Sequence, residues 1–104
     1  MNRSTWKAQE RWVAQFFGST RTPLSGSGSR HTGSDSLHPR LYIETKLRKG
    51  FTAACRRFQE IAKEAKKEGK IPVLVFRIQG QDNLDSLAVV RLRDLKAVAQ
   101  EIPN

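Results

Sequence analysis

The chain is poor in sulfur, poor in acids and free of long apolar runs. Its single cysteine, Cys55, excludes an internal disulfide and favours a reducing compartment. No uninterrupted apolar stretch is long enough to span a bilayer, and Met1 to Glu10 is polar, without the apolar core of a secretory leader. A cytoplasmic location is therefore expected. Ten acidic residues face nineteen Lys and Arg, for a formal charge of +9 and a pI near 10.5. So large an excess on 104 residues points to a polyanionic partner, either nucleic acid or an acidic membrane face. The bland alternative is a solubilising surface. Apolar residues make up 38%, which suits one folded domain, 1–104, rather than a disordered chain.

Periodicity places the elements. Trp6, Glu10, Val13 and Phe17 recur at helical spacing, predicting a helix over 5–17 with Ser4 as N-cap and Gly18 as its stop. Glu10 interrupts that apolar stripe, and a carboxylate there needs a cation, a metal or water. Trp12 and Phe16 form a second apolar face, which suggests a dimer surface. Residues 19–23 read as a short strand. Residues 24–34, rich in Ser and Gly, read as a flexible loop within the domain. Asp35 to Leu37 reads as another brief strand, and His38-Pro39-Arg40 as a turn into a strand over 41–47.

Residues 51–68 predict the most secure helix, with Ala54, Cys55, Phe58, Ile61, Ala62 and Ala65 as its core stripe, Gly69 as its end and Pro72 barring its continuation. Pro72 to Ile78 reads as a central apolar strand, 87–92 as the returning strand, and 92–102 as a last helix. This order predicts an α/β layer with a mixed sheet.

An acid, any residue, then Lys occurs four times: Glu44-Thr45-Lys46, Glu64-Ala65-Lys66, Glu68-Gly69-Lys70 and Asp94-Leu95-Lys96. Only Glu44 and Lys46 fall on a predicted strand, where alternation points both side chains to one side. Adjacent antiparallel strands would bring Asp35 beside Glu44, and two such carboxylates repel unless a cation lies between them. Their hard oxygens suit Mg²⁺, or Mn²⁺ in its place, and either ion also binds phosphate oxygens. Lys46 would orient a water or offset charge on a phosphate. The plain alternative is the solvated face of an edge strand. Arg21, Arg30, Arg40, Arg48 and Lys49 flank this group and would hold DNA phosphates. No aromatic ladder and no base-reading motif accompanies them, and His31 and His38 read as incidental.

Glu10, Ser25-Gly26-Ser27-Gly28, Asp35 and Glu44-Thr45-Lys46 together resemble the PD-(D/E)xK nuclease superfamily, and most of all the archaeal-type Holliday junction resolvases and their phage relatives. The resemblance runs from Glu10 to the Val73–Phe76 segment. It implies a restriction-endonuclease-like αβββαβ core and a magnesium-dependent endonuclease that cuts branched DNA as a homodimer in the cytoplasm, a phage host's included. It implies Asp35 and Glu44 as metal ligands with the Thr45 carbonyl, Glu10 as a nearby or direct acidic ligand, and Lys46 as the catalytic lysine. It implies a functional loop serine, Ser25 or else Ser27. Ser34 stands where the family pattern has proline. Two other functions stay open: a non-catalytic basic DNA-binding protein of the same fold, and a nuclease acting on other DNA structures.

Overall fold

The structure is a computed structural model, and it describes residues 5–23, 32–47, 50 and 52–104. The backbone groups into two compact units, Met1–Lys49 and Gly50–Asn104. Among the described residues they hold three α-helices and one two-stranded antiparallel sheet.

The first unit is built on helix α1, Trp6–Phe16. Thr5, rather than Ser4, is its N-cap: the Thr5 hydroxyl accepts the N–H of Ala8 at 3.1 Å. Ser4 itself lies outside the described residues. The helix ends as its sequence predicts. Gly18, at φ +75, donates its N–H to Gln15, and Ser19 donates back to Ala14 at 2.8 Å. This left-handed glycine closure satisfies carbonyls that the last turn leaves open. Val13 and Ala14 are buried, whereas Trp6 at the start of the predicted stripe is half exposed.

After α1 the chain passes Arg21, which forms an antiparallel bridge with Ser36. The N–H of Thr22 donates to the Asp35 carbonyl at 3.0 Å, and that of Leu37 to the Thr20 carbonyl at 2.9 Å. The brief strands expected at 19–23 and 35–37 thus meet, but only over one bridge. The strand expected over 41–47 does not form a regular ladder. Side chains take the positions that backbone groups would fill: the N–H of Ile43 donates to Ser34 Oγ at 2.7 Å and that of Thr45 to Asp35 Oδ2 at 2.6 Å. Ser and Asp side chains compete in this way with sheet pairing wherever they face a neighbouring backbone. The alternation survives only at its middle: Ile43 and Thr45 are half-buried, while Leu41 and Leu47 on the same face are exposed like Tyr42, Glu44 and Lys46.

In the second unit, helix α2 spans Ala53–Lys67, and the hydroxyl of its N-cap Thr52 accepts the N–H of Cys55. Gly69, at φ +66, donates to Lys66, and Lys70 donates to Ala65 at 2.9 Å, the same closure that ends α1. Phe58 and Ala62 are the buried part of the stripe. Cys55, expected in the core, is exposed, because it lies in the first turn at the stripe's edge.

Strands β1 (Leu74–Phe76) and β2 (Leu87–Val89) pair antiparallel, with Leu74 opposite Val89 and Phe76 opposite Leu87. A central strand in a mixed sheet was expected here. Among the described residues β1 has one partner, and Val75 is 58% exposed. The run Pro72 to Ile78 is apolar at nearly every position, which the buried-strand reading rests on, yet Pro72 lacks an N–H and the pairing begins only at Leu74. A 3₁₀ turn over Leu92–Asp94 leads into helix α3, Leu95–Gln100.

Candidate functional site

The first unit collects its polar residues around a buried knot. Thr22, Ser34 and Ser36 are all but inaccessible, and Asp35 is 8% exposed. Ser34 is its centre. Its hydroxyl accepts from Ile43 N–H and, at 3.3 Å, from Ser36 N–H, and donates to the Ile43 carbonyl at 3.0 Å. Thr22 Oγ1 donates to the Ser34 carbonyl at 2.8 Å. The N–H of Asp35 also reaches the Ile43 carbonyl, at 2.7 Å. Asp35 is therefore held by its backbone on both sides, between Thr22 and Ile43.

The Asp35 side chain then fixes the second segment. Its Oδ2 accepts the Thr45 N–H, which places the Glu44-Thr45-Lys46 backbone directly against the Asp35 carboxylate. A short bond from an N–H to a carboxylate is stronger than a neutral one. The other Asp35 oxygen has no donor among the described residues, and no Lys or Arg lies within ion-pair distance of it there. Thr45 Oγ1 is buried and has no hydrogen-bond partner among the described residues. Leaving such a hydroxyl unpaired costs about 1–3 kcal/mol. Glu44 and Lys46 project from the same segment into solvent.

Glu10 has a different setting. It is 7% exposed, and its Oε1 accepts the Arg21 Nε at 2.8 Å. Arg21 also stacks 5.5 Å from the Trp6 ring centre. The acid on the apolar stripe thus finds a guanidinium, as a buried carboxylate must find some partner. Arg21, expected to hold DNA phosphates, is mostly covered and committed at least in part to Glu10. Beside this pair, Arg11, Gln15, Thr20 and Arg21 line a cleft of 330 Å³. Arg40 is exposed. Ser25, Ser27, Arg30, Arg48 and Lys49 lie outside the described residues.

The oxygens present suit a hard divalent ion. Among the described residues no three His, Cys, Asp or Glu side chains cluster as a metal cage. Magnesium does not need one, since it commonly binds through one or two carboxylates, keeps several waters and takes phosphate oxygens for the rest. Asp35, whose second carboxylate oxygen has no donor among the described residues, and Glu44, the neighbour in sequence of the Thr45 that bonds to Asp35, supply carboxylates of that kind, and Thr45 Oγ1 has no partner among the described residues.

Two residues outside the acid and lysine pattern matter here. Ser34, at the position where the family pattern has proline, holds three backbone groups through its hydroxyl. His38, incidental as a metal ligand, accepts the N–H groups of Arg40 and Leu41 at its Nδ1 and so shapes the turn. The Ser34-Asp35-Ser36 run, three short polar side chains able to bond nearby backbone, is the signal that could have found the first. No family model matches the chain, and no curated protein or solved structure matches it significantly.

Proposed function

We propose that the protein is a magnesium-dependent, structure-selective DNA endonuclease of the Holliday junction resolvase type. One observation carries the reading: the Asp35 carboxylate, buried and without a cation beside it among the described residues, is bonded at 2.6 Å to the backbone of the Glu44-Thr45-Lys46 segment. That bond joins the two parts of the sequence pattern that the chemistry requires to be together. Asp35 and Glu44 would hold the ion, with Thr45 adding a neutral oxygen. When bound, the ion supplies Lewis acidity at the scissile phosphate. Lys46 extends from the same segment and would orient the attacking water and offset charge on the phosphate oxygens. The water oxygen forms the new bond to phosphorus, the bond to the departing sugar oxygen breaks, and that oxygen ends protonated. Glu10, paired with Arg21, supports the helix beside the knot.

The test is cleavage of a labelled four-way junction and of linear duplex, each with Mg²⁺ or with EDTA. Magnesium-dependent cutting of the junction in preference to duplex is expected. Glu44→Ala is expected to lower the rate by about a thousandfold, as loss of several kcal/mol of transition-state stabilisation requires, and to leave junction binding intact or tighter. Absence of metal-dependent cutting of either DNA ends the enzyme reading, and equal cutting of both ends the junction reading.

Resolving a junction takes two symmetric cuts, which a twofold dimer provides. Trp12 and Phe16 stack at 5.5 Å on α1 and are 52% and 44% exposed, which supports assigning them to that surface. Trp12→Glu is expected to convert a dimer to a monomer in sedimentation equilibrium; a wild-type protein that is already monomeric removes this assignment.

A further inference from the structure

Three of the four acid–x–lysine tripeptides lie in the second unit and have no part in the site above. Residues from all three come together there. A cleft of 360 Å³ is lined by Lys66 and Lys70, by Arg91 and Arg93, and by Asp94, with buried Pro72 among its walls. Four cations and one acid give it a net charge of +3. We propose that this cleft binds phosphodiester groups of a nucleic-acid backbone, as a contact separate from the cleavage site; for DNA as the ligand, the inference rests on the nuclease reading.

The fold explains why these cations gather. Lys66 is in the last turn of α2, and the left-handed Gly69 reverses the chain so that Lys70 follows at once. Arg91 and Arg93 flank the start of the 3₁₀ turn after β2. Like charges brought together repel, and the cost falls when an anion neutralises them. The negative end of the α2 dipole would oppose an anion here, but two of its carbonyls are already capped by the N–H groups of Gly69 and Lys70. Existing partners are weak competitors. Lys70 pairs with Glu68 at 2.9 Å where both side chains are more than 60% exposed, and such surface pairs contribute little. Arg91 lies 5.4 Å from the Phe58 ring centre, which holds its guanidinium in place without neutralising it. The cluster contains no aromatic platform for stacked bases, so it fits backbone recognition without sequence preference.

The test compares two triple variants of the full chain for binding a labelled four-way junction in EDTA, by anisotropy over a salt series. One is Lys66→Gln/Lys70→Gln/Arg93→Gln, and the other is Lys63→Gln/Lys67→Gln/Lys96→Gln, which removes the same charge from exposed positions outside the cleft. The cleft variant is expected to bind at least tenfold more weakly and to flatten the slope of log K against log salt by about 2 to 3, since each neutralised phosphate contributes about 0.9. The control is expected to keep a slope near wild type. Equal losses in both variants overturn the proposal, as does no loss in either. If the triple variant does not fold by circular dichroism, the single variants Lys66→Gln and Arg93→Gln, each expected to flatten the slope by about 1, decide it in the same way. Cleavage in Mg²⁺ at saturating protein is read in parallel. Loss of binding by the cleft variant with no cutting by wild type supports this cleft and fails the nuclease reading; cutting with unaltered binding does the reverse.

Discussion

Asp35→Asn is expected to leave the protein folded and to stop the DNA cleavage proposed for it. The Asn carbonyl oxygen replaces Oδ2 as acceptor for the Thr45 N–H, so the 2.6 Å bond is kept in weaker form. The change removes one negative charge and leaves the buried volume nearly the same. Stability is expected to fall by no more than about 1 kcal/mol, the difference between a charged and a neutral hydrogen bond. The cleavage rate is expected to fall by about a thousandfold, because a neutral amide is a poor ligand for a hard divalent ion. Asp35→Ala behaves differently. It strips the acceptor from the Thr45 N–H, costs about 2 kcal/mol and loosens the hold on Glu44. Urea unfolding of both variants, beside the junction cleavage assay, separates the two roles of this carboxylate. An asparagine variant that cuts at the wild-type rate would show that Asp35 only holds the backbone together.

The parts of the fold legible in the sequence were those fixed by local periodicity and by glycine. Helices α1 and α2 lie within two residues of their expected bounds, and Gly18 and Gly69 close them as read. These features depend on neighbours one turn away along the chain. The stretch 34–47 was legible only in part. The expectation that Asp35 and the Glu44 segment are adjacent agrees with the bond between Asp35 and Thr45, but the regular strands expected to bring them together are not there. Alternation reports which face a side chain occupies, and it does not report that a serine hydroxyl will replace a backbone partner. The same limit explains Glu10. Its place on an apolar stripe signalled a buried partner, yet nothing in the spacing of Glu10 and Arg21 named which one. The cationic cleft was hidden because Lys66 and Arg91 are far apart in sequence and meet only through the reversal at Gly69 and the return of β2.

Ser34→Ala is expected to be the most damaging of the small substitutions in the first unit. The side chain is 2% exposed, and losing its oxygen breaks three hydrogen bonds at once. Two donors lose their acceptor, the N–H groups of Ile43 and Ser36, while the Ile43 carbonyl keeps the N–H of Asp35. A neutral hydrogen bond contributes about 1 kcal/mol net, and a buried donor left without a partner costs about 1–3 kcal/mol. Water can reach a half-buried segment and recover some of this, so a loss of about 3 kcal/mol is expected. The consequence for function goes through geometry, because the 41–47 segment carries Glu44 and Lys46 and is tied to Asp35 from one side by this hydroxyl. Cleavage should therefore fall even at temperatures where the variant is folded, and excess Mg²⁺ should restore part of it, which it cannot do for Glu44→Ala. Urea unfolding gives the stability, and a magnesium titration of the cleavage rate gives the rest. A loss below about 1 kcal/mol, with a gain in sheet signal by circular dichroism, would mean that the backbones of 34–36 and 41–45 pair directly once the serine is gone. The hydroxyl would then be a substitute for the ladder rather than its organiser.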